Sequence, residues 1–425
     1  MVKVVVVGGG WSGCGAAIAA AKAGAQVTLL ERTDMLLGTG LVGGIMRNNG
    51  RFTATEEAIA MGANELFDAT DACTRHKLDF PGHKHASLYD VAKIEPAVEQ
   101  KLTEAGVDWH VESRFADVVM DGKTIKAVKT EDGTTYEADI FVDCTGTAGP
   151  QGNCMKYGQG CGMCALRCPS FGPRVSLAGK AGAPEFMGKK GDGSYGAMSG
   201  SCKLFKESLS KEIQDELNTK GVCIVPIPEH LRKSGVLAKK ACQQYALPEF
   251  EQNVILLDTG HAKLMTPYYP LHNLRQIPGF EDARFEDPYA GGKANSMRYM
   301  AVSYRDNNLK VEGVDNLFCG GEKAGLLVGH TEAIVTGYLA GANAVRFACG
   351  KELIEIPTTL AIGDAVDYVG QQMRTEEGIK FKYTFSGSVY FKRMQELGLY
   401  TTDVAAIKAK VKEAGMEGIY NQKVC

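Results

Sequence analysis

Closely spaced cysteines are the sharpest chemical signal in the sequence. Cys161, Cys164 and Cys168 form a C-x2-C-x3-C run that ends in Pro169, and Cys154 precedes this run in the same glycine-rich stretch. Thiolates are soft ligands that suit an iron–sulfur cluster, and a short loop lets several sulfurs converge on one cluster. We therefore expect a cluster of the [4Fe-4S] type with Cys154, Cys161, Cys164 and Cys168 as its ligands.

Three other roles are open to the same thiols. Cys161 and Cys164 suit a redox-active dithiol, four thiolates also suit zinc, and small buried thiols need no chemistry at all. The spacing to Cys154 is not that of a ferredoxin, so Cys202 or Cys223 is an alternative fourth ligand. An odd number of cysteines, 13, in a long chain argues against a disulfide scaffold. We expect Cys14, Cys144, Cys319 and Cys349 to be small buried hydrophobes in helices or strands, and Cys425 to be a loose terminal thiol.

A nucleotide-binding pattern opens the chain. The β-branched run at 4–7 predicts a buried parallel strand, and Gly8, Gly10 and Gly13 follow it in G-x-G-x-x-G spacing. The first glycine makes the turn, the second lets the backbone approach a pyrophosphate, and the third lets the next helix pack closely. A second strand ends at Glu31, whose carboxylate would accept ribose hydroxyls and repel a 2′-phosphate. These features predict FAD or NAD rather than NADP.

Three later features favour FAD. A glycine-rich stretch at 36–44 lies where many flavoproteins place a second turn against the cofactor. A hydrophobic strand that closes in Thr145 and Gly146 resembles the "ATG" element of two-dinucleotide-binding flavoproteins. The strand before Gly321 and Glu322 resembles the one that brings an acid to the ribityl chain in the same superfamily. The predicted cofactor contacts are Gly8, Gly10, Gly13, Glu31, Arg32, Gly44, Ala116, Thr145, Gly146, Gly321, Glu322 and Thr331.

A helix is predicted over 331–348, the next element after Glu322. Gly337 and Gly341 recur at i, i+4 and predict close packing against another helix. The free N–H groups at the start of the predicted helix would stabilise negative charge on a reduced flavin. His330 precedes the helix, and it either contacts flavin or substrate or is a helix-entry residue that faces solvent or backbone.

The pattern breaks between the two nucleotide-binding parts, which predicts an inserted domain. Residues 1–150 and 311–356 are expected to form the FAD-binding domain, 151–310 an inserted α+β substrate or cap domain, and 357–425 a helical C-terminal region. The predicted fold class is α/β, with a Rossmann-like FAD domain of the glutathione-reductase type that combines a parallel sheet and a β-meander.

Within the insertion, local patterns predict helices over 208–220 and 229–246, with a strand at 222–226. Tyr268 and Tyr269 are flanked by prolines and are candidate substrate contacts. Packing in the core or at the surface is the alternative role for these tyrosines.

Composition narrows the class of protein. The formal charge is −3, so no global basic field points to nucleic acid or to an anionic membrane. The early apolar run is far too short to span a bilayer, and we expect a cytoplasmic protein without membrane contact. The 51 glycines stand against only 14 prolines, which indicates tight turns and close backbone approach to a ligand. A homo-oligomer is compatible with these features.

The later part of the chain resembles the GidA-type flavoproteins. The resemblance rests on L-R-Q-I-P-G-F-E-D-A-R-F at 274–285, N-L-F-C-G-G-E at 316–322 and the glycine-containing stretch at 330–344. The tail after 359 resembles that of the folate- and FAD-dependent tRNA uridine methyltransferases, and Cys168 with its proline looks like the cysteine–proline element of the group. The methyltransferases carry a cysteine in the segment that corresponds to 39–50, and this chain has none there.

These observations leave three functions open. The favoured one is an FAD-dependent oxidoreductase acting on a small molecule, with an iron–sulfur cluster that relays electrons and a ferredoxin-type or NAD(P)H-linked donor. Its candidate catalytic residues are His330, Cys168 and Tyr268. The first alternative, implied by the resemblance, is a folate-dependent tRNA or RNA uridine methyltransferase, and the second is a flavin electron-transfer subunit. The candidate RNA contacts are Lys380, Lys382, Lys392 and Arg393, for which a solvated face is the ordinary role.

Overall fold

The structure of the protein is a computed structural model that describes most of the 425-residue chain. The described ranges are 1–146, 171–195, 197–198, 201–232, 247–266, 269–286, 297–298 and 301–425. Five residues singled out in the sequence lie outside these ranges, namely Cys154, Cys161, Cys164, Cys168 and Tyr268.

Strands and helices are labelled here in chain order. The strands are β1 (Lys3–Val7), β2 (Gln26–Leu30), β3 (Ile45–Met46), β4 (Thr74–Phe80), β5 (His83–Tyr89), β6 (Asp108–His110), β7 (Phe115–Asp121), β8 (Thr124–Thr130), β9 (Thr135–Glu137), β10 (Ile140–Asp143), β11 (Glu185–Met187), β12 (Ala197–Met198), β13 (Cys202–Leu204), β14 (Val222–Pro226), β15 (Asn253–Asp258), β16 (Ala262–Leu264), β17 (Met297–Arg298), β18 (Ala301–Ser303) and β19 (Leu317–Cys319). The α-helices are α1 (Trp11–Lys22), α2 (Gly50–Ala60), α3 (Glu65–Ala72), α4 (Ile94–Glu104), α5 (Leu177–Lys180), α6 (Lys211–Lys220), α7 (Glu249–Gln252), α8 (Leu271–Leu274), α9 (His330–Ala348), α10 (Ala361–Gln372), α11 (Ser388–Glu396) and α12 (Val404–Glu413).

A five-stranded parallel sheet forms the centre of the molecule, in the order β19-β10-β1-β2-β6. β1 lies in the middle, and its valines from Val4 to Val7 are at most 3% exposed. A strand covered on both faces can carry such a continuous β-branched run, because no side chain has to meet water. The predicted α/β class with a parallel sheet is confirmed.

Two distant parts of the sequence build this sheet. The antiparallel meander β7-β8-β9 follows β6 and precedes β10, as the short alternating strands predicted. β19 then joins the edge of the sheet, with Leu317 opposite Phe141 of β10. The discontinuous sheet was expected from the sequence, whereas the domain boundaries at 150, 310 and 356 stay predictions.

Helices α1 and α9 pack backbone against backbone. A Cβ atom on Gly337 would lie 2.2 Å from the carbonyl oxygen of Ser12, and one on Gly341 would lie 2.1 Å from that of Ala16. Any larger residue would therefore push the two helices apart. The close packing predicted from the i, i+4 glycines is confirmed.

The inserted part contains an antiparallel sheet in the order β13-β16-β15-β14, on which α6 packs. The insertion is therefore α+β where the structure describes it. Helix α6 begins at Lys211, later than predicted, because Ser210 caps it by accepting a hydrogen bond from the Ile213 amide. The prediction of a helix from 229 is wrong at its start, since Glu229–Leu231 is a 3-10 turn and Arg232 is extended. The rest of that predicted helix lies outside the described residues.

Buried charges tie the insertion to the nucleotide-binding part. The Lys323 ammonium, fully buried, pairs with Glu185 and donates to the Ser176 hydroxyl at 3.0 Å. At a second contact, the fully buried Asp258 accepts from Lys206 at 2.7 Å and also pairs with Arg75. Lys206 and Asp258 both belong to the insertion, so Arg75, whose side chain is 33% exposed, makes the contact between the parts there. Both partners of the Lys323–Glu185 pair are shielded from water, so separating the two parts would cost more at that pair than an exposed ion pair does.

The C-terminal region is helical, as predicted, and its last residues return to the start of the chain. The Val424 amide donates to the Ala23 carbonyl at 3.0 Å, and this contact carries Cys425 to the end of α9. Cys425 forms a disulfide with Cys349, and their Cα atoms are 6.4 Å apart. The expectation of a loose terminal thiol at Cys425 and an unlinked thiol at Cys349 is therefore wrong. Among the described residues, no helix has both the length and the apolar character of a bilayer span.

A buried ion pair joins α2, α9 and the segment before α11. The Arg51 guanidinium donates to the fully buried Glu332 carboxylate at 3.0 Å. Glu332 also accepts from the Thr384 hydroxyl at 2.6 Å and from the Phe385 amide at 2.8 Å. One carboxylate thus organises three stretches of chain that are remote in sequence.

Replacing Glu332 with glutamine should leave the Arg51 charge buried without its counterion. We expect a loss of about 3–5 kcal/mol in the free energy of unfolding. Lys84→Met, which removes an exposed ion pair with Asp79, should change it by no more than about 1 kcal/mol. Denaturant unfolding of both variants measures the difference, and equal small effects would contradict the assigned role of the Glu332 carboxylate.

Candidate cofactor site

The glycine fingerprint has the geometry that its spacing predicts. Gly8 has φ +102°, and its amide donates to the Leu30 carbonyl at 2.8 Å. A Cβ atom on Gly13 would lie 1.8 Å from the carbonyl oxygen of Gly8, so only glycine lets α1 approach β1 this closely. Gly8 and Gly13 are thus required by the fold itself.

Gly10 differs from its neighbours because open space lies in front of it. It has φ −67° and caps α1, and a Cβ atom there would meet no described heavy atom within 4 Å. The same holds at Gly146, on the loop after β10. The open space therefore borders the N-terminus of α1, where free N–H groups and the helix dipole favour a phosphate.

Glu31 follows β2 and is 6% exposed. Its carboxylate accepts from the Gly9 amide at 2.8 Å, from the Thr33 amide at 2.8 Å and from the Thr33 hydroxyl at 3.0 Å. A carboxylate has about four acceptor positions, so about one stays available for a ribose hydroxyl. The internal bonds fix the side chain beside the fingerprint.

Arg32 and Ala116 flank the same end of the sheet. The Arg32 guanidinium donates to the carbonyl of Gly172, at the beginning of the described insertion. Ala116 is half-buried on β7 of the meander. Their contacts with a cofactor stay predictions.

The glycine-rich turn at 36–44 packs directly on the fingerprint. The Leu37 amide donates to the Gly9 carbonyl at 2.8 Å. At the other end of the turn, Gly44 has φ +74°, and a Cβ atom on it would lie 2.4 Å from the Thr259 side chain of the insertion. The turn therefore lies between the fingerprint and the insertion.

The predicted elements at Thr145 and Gly321 are held by side-chain hydrogen bonds. The Thr145 amide and hydroxyl donate to the buried Asp143 carboxylate at 3.0 and 2.7 Å. The Gly321 amide donates to the Thr336 hydroxyl of α9 at 2.8 Å, and Glu322 is half-buried beside it. The loops after β10 and β19 thus meet near the N-terminal half of α9.

His330 and Thr331 begin α9, as predicted to within one residue. The His330 ring lies close enough to the turn that a Cβ atom on Gly43 would be 1.7 Å from it, and its Nδ1 is 3.3 Å from the Ile45 carbonyl oxygen. Thr331 is buried, with its hydroxyl 3.9 Å from the Met46 sulfur. His330 therefore faces the turn and not open solvent, while its contact with flavin stays a prediction.

Sequence reasoning missed two residues beside this turn. Trp11 directly follows Gly10, and its ring centroid lies 5.8 Å from that of His330 and 6.2 Å from that of Tyr89. Its buried indole N–H has no acceptor among the described residues. Lys263 of the insertion donates to the Val42 carbonyl at 3.3 Å. An aromatic residue within the fingerprint was the available signal for Trp11, and nothing local marked Lys263.

Three cysteines expected to be small buried hydrophobes have that role. Cys14, Cys144 and Cys319 are each at most 6% exposed. Burial raises the pKa of each thiol, to about 12 for Cys144, so the reactive thiolate is disfavoured. No group of three or more metal-ligating side chains occurs within the described ranges, and the four cysteines of the predicted cluster lie outside them.

Comparison with known families divides the chain into two matched segments. A family model described as FAD dependent oxidoreductase matches residues 3–149, and one described as glucose inhibited division protein A matches residues 251–352. The first segment contains the fingerprint and the meander, and the second contains Lys263, β19 and α9. Both segments contribute residues to the site described above.

Curated relatives include methylenetetrahydrofolate–tRNA-(uracil-5-)-methyltransferases TrmFO and a tRNA uridine 5-carboxymethylaminomethyl modification enzyme MnmG. The TrmFO of Lactobacillus delbrueckii subsp. bulgaricus is 34% identical over 96 residues, which is 22% of this chain and 21% of that protein. The MnmG of Chlorobaculum tepidum is 32% identical over 121 residues, which is 28% of this chain and 19% of that protein. The match thus spans about a fifth of the length of each relative.

A solved structure matches over nearly the whole chain. GidA of Aquifex aeolicus has a TM-score of 0.65 at 17% identity, over 97% of this chain and 76% of that one. Its fold is therefore shared. Two segments of the chain are thus similar to FAD-dependent flavoproteins of the GidA and TrmFO type, and the chain shares the GidA fold.

The residues of this site fit FAD. The open space at Gly10 and Gly146 admits a pyrophosphate beside the N-terminus of α1, and Glu31 keeps about one acceptor position for the ribose. The N-terminus of α9 supplies a second set of free N–H groups, with His330 and the turn beside it. The two helix ends can therefore stabilise negative charge at two points along one extended cofactor.

Replacing Gly10 with valine should separate cofactor binding from folding. The new side chain would enter the open space, so we expect FAD affinity to fall on the order of 100-fold, or about 2.8 kcal/mol, with little change in unfolding of the apoprotein. Gly13→Val is the matched control, because it strikes the Gly8 backbone and should destabilise the fold by at least about 1–3 kcal/mol. Flavin retained by a stable Gly10→Val protein would contradict the assignment of the open space at Gly10 to the pyrophosphate.

Proposed function

We propose that this GidA/TrmFO-type protein is an FAD-dependent enzyme that modifies uridine in RNA. The observation that carries the proposal is the similarity to TrmFO and MnmG, whose names describe action on tRNA. The family model that matches 251–352 covers the part of the insertion that meets the turn and the helix α9 that begins beside the turn. The similarity therefore includes the insertion side of the site.

FAD, when bound, supplies a two-electron carrier that can reduce a methylene group to a methyl group. The chain's own residues would bind and orient it. Glu31 and the N-terminus of α1 would hold the adenosine and pyrophosphate end, and the first N–H groups of α9 would stabilise negative charge at the ring end. The Trp11, Tyr89 and His330 rings cover the turn at 36–44 and exclude water from that side.

The basic residues first considered for RNA are not equally available. Lys382 is 4% exposed and donates to the Lys189 carbonyl, and Arg393 pairs with Asp364 at 2.7 Å. Lys392 is mainly exposed and lies 3.6 Å from Glu396. We therefore assign RNA contact to exposed cations of the C-terminal region, of which Lys392 is one, and not to Lys382 or Arg393.

Cys168 is the thiol that the resemblance implies for covalent or redox chemistry. The segment at 39–50, where the methyltransferases carry a cysteine, has none, so a mechanism that needs two thiols would have to draw the second from elsewhere. Cys168 precedes a proline, as in the cysteine–proline element that the resemblance implies. Its role is a proposal that rests on sequence alone.

The direct test incubates the FAD-loaded protein with tRNA transcript, methylenetetrahydrofolate and NADPH or NADH. We expect a modified uridine in the nucleoside mass spectrum, and we expect Cys168→Ser to abolish it without releasing FAD. Gly10→Val, assayed without added FAD, is the control for flavin dependence. Unmodified RNA with full FAD occupancy, across both nicotinamide donors, would contradict the proposed substrate class.

A second candidate function is a small-molecule oxidoreductase with an iron–sulfur cluster. The C-x2-C-x3-C-P run is the specific observation that favours it. Anaerobic purification with iron and sulfide analysis tests this candidate. Iron and sulfide that disappear in Cys164→Ser would support this candidate. FAD-replete protein that contains neither iron nor sulfide would rule it out and leave the RNA proposal as the remaining candidate.

A further inference from the structure

Lys263 is a buried cation at the border between the insertion and the cofactor turn. It lies on β16 between Ala262 and Leu264, whose side chains enter the core of the insertion. Because successive side chains of a strand point to opposite faces, Lys263 points away from that core. It is 6% exposed, and its ammonium donates to the Val42 carbonyl of the turn at 3.3 Å.

Other buried cations of the described chain are better matched than Lys263. Lys206 and Lys323 each pair with a buried carboxylate, and Arg305 donates to three backbone carbonyls. The Lys263 ammonium donates to the Val42 carbonyl, and Lys203 lies directly opposite it on β13. A second cation at this position raises the cost of charging Lys263.

Folding alone does not account for a lysine at this position. Burial, followed by the neighbouring Lys203, lowers the pKa of the Lys263 ammonium to about 7. A buried charge without a counterion is expensive, and an apolar residue of similar length would be tolerated better. A residue that costs stability and contacts the cofactor turn is more simply explained by what it binds.

The turn that Lys263 contacts belongs to the cofactor site. Leu37 of this turn bonds to Gly9 of the fingerprint, and Gly43 packs on His330 at the start of α9. Val42 lies beside Gly43, so the Lys263 ammonium approaches the same turn from the insertion. It supplies a positive charge from a different direction than the α9 N-terminus does.

We propose that Lys263 binds an anionic oxygen in the cofactor site, beside the turn at 36–44. The inference rests on the FAD binding of the proposed function and adds a residue of the insertion to it. The anionic oxygen has two possible sources, the ring of reduced flavin or an acid group of the substrate. Both share the chemistry of a single ammonium that donates to a negative oxygen.

The test compares Lys263→Met and Lys263→Arg with wild type, all loaded with FAD. Lys220→Met is the control, because it removes an exposed cation on α6. The two-electron midpoint potential of the flavin is measured first, without substrate. Inorganic phosphate and acetate are then titrated against the flavin absorbance spectrum, and thermal unfolding is recorded for each variant.

If reduced flavin is the partner, Lys263→Met should weaken the binding of reduced flavin at least tenfold relative to the binding of oxidised flavin. That loss lowers the midpoint potential by about 30 mV, and Lys263→Arg should restore much of it. If a substrate acid group is the partner, the midpoint potential of the flavin in Lys263→Met should equal that of wild type, while phosphate or acetate should bind at least tenfold more weakly. In both cases Lys263→Met should unfold at the same temperature as wild type or higher.

A potential and anion affinities equal to those of Lys220→Met would overturn the proposal for Lys263 while leaving FAD binding intact. A lower unfolding temperature with unchanged flavin properties would assign Lys263 a structural role and would equally overturn it. Wild-type protein that binds no FAD would instead refute the proposed function itself. The two failures are therefore distinguishable.

Discussion

The contact between α1 and α9 is the constraint on which the rest of the site depends. Gly337 and Gly341 let the backbones of the two helices touch at Ser12 and Ala16. Helix α1 begins at the glycine fingerprint and α9 begins at His330, so this contact sets the separation of two positively polarised helix ends. A cofactor that carries negative charge at both a pyrophosphate and a reducible ring requires that separation to be fixed before it binds.

Buried charge then fixes what packs around this helix pair. Glu332 draws α2 and the segment before α11 onto α9, while the Lys323–Glu185 and Arg75–Asp258 pairs hold the insertion against the nucleotide-binding part. These ion pairs give each contact one permitted arrangement, since a shifted register would leave a charge buried alone. Lys263 differs because its ammonium donates to a backbone carbonyl, and it lies where the insertion meets the cofactor turn.

Local patterns in the sequence predicted what local physics determines. The buried run at 4–7, the fingerprint glycines and the helix near 331–348 each follow from short-range spacing, and all three are present. Lys263 escaped notice because its position depends on β16 pairing with strands far away in the sequence. The Cys349–Cys425 disulfide was not predicted for the same reason, since the contact with Ala23 brings the chain end to α9.

The most direct test of the account is a titration of the apoprotein with FAD and, separately, with FMN, which lacks the adenosine half. Because Glu31 and the α1 N-terminus would contact only that half and the pyrophosphate, we predict one FAD per chain, bound at least tenfold more tightly than FMN. Equal affinity for the two flavins, or no binding of FAD, would contradict the claim that these two helix ends hold one dinucleotide.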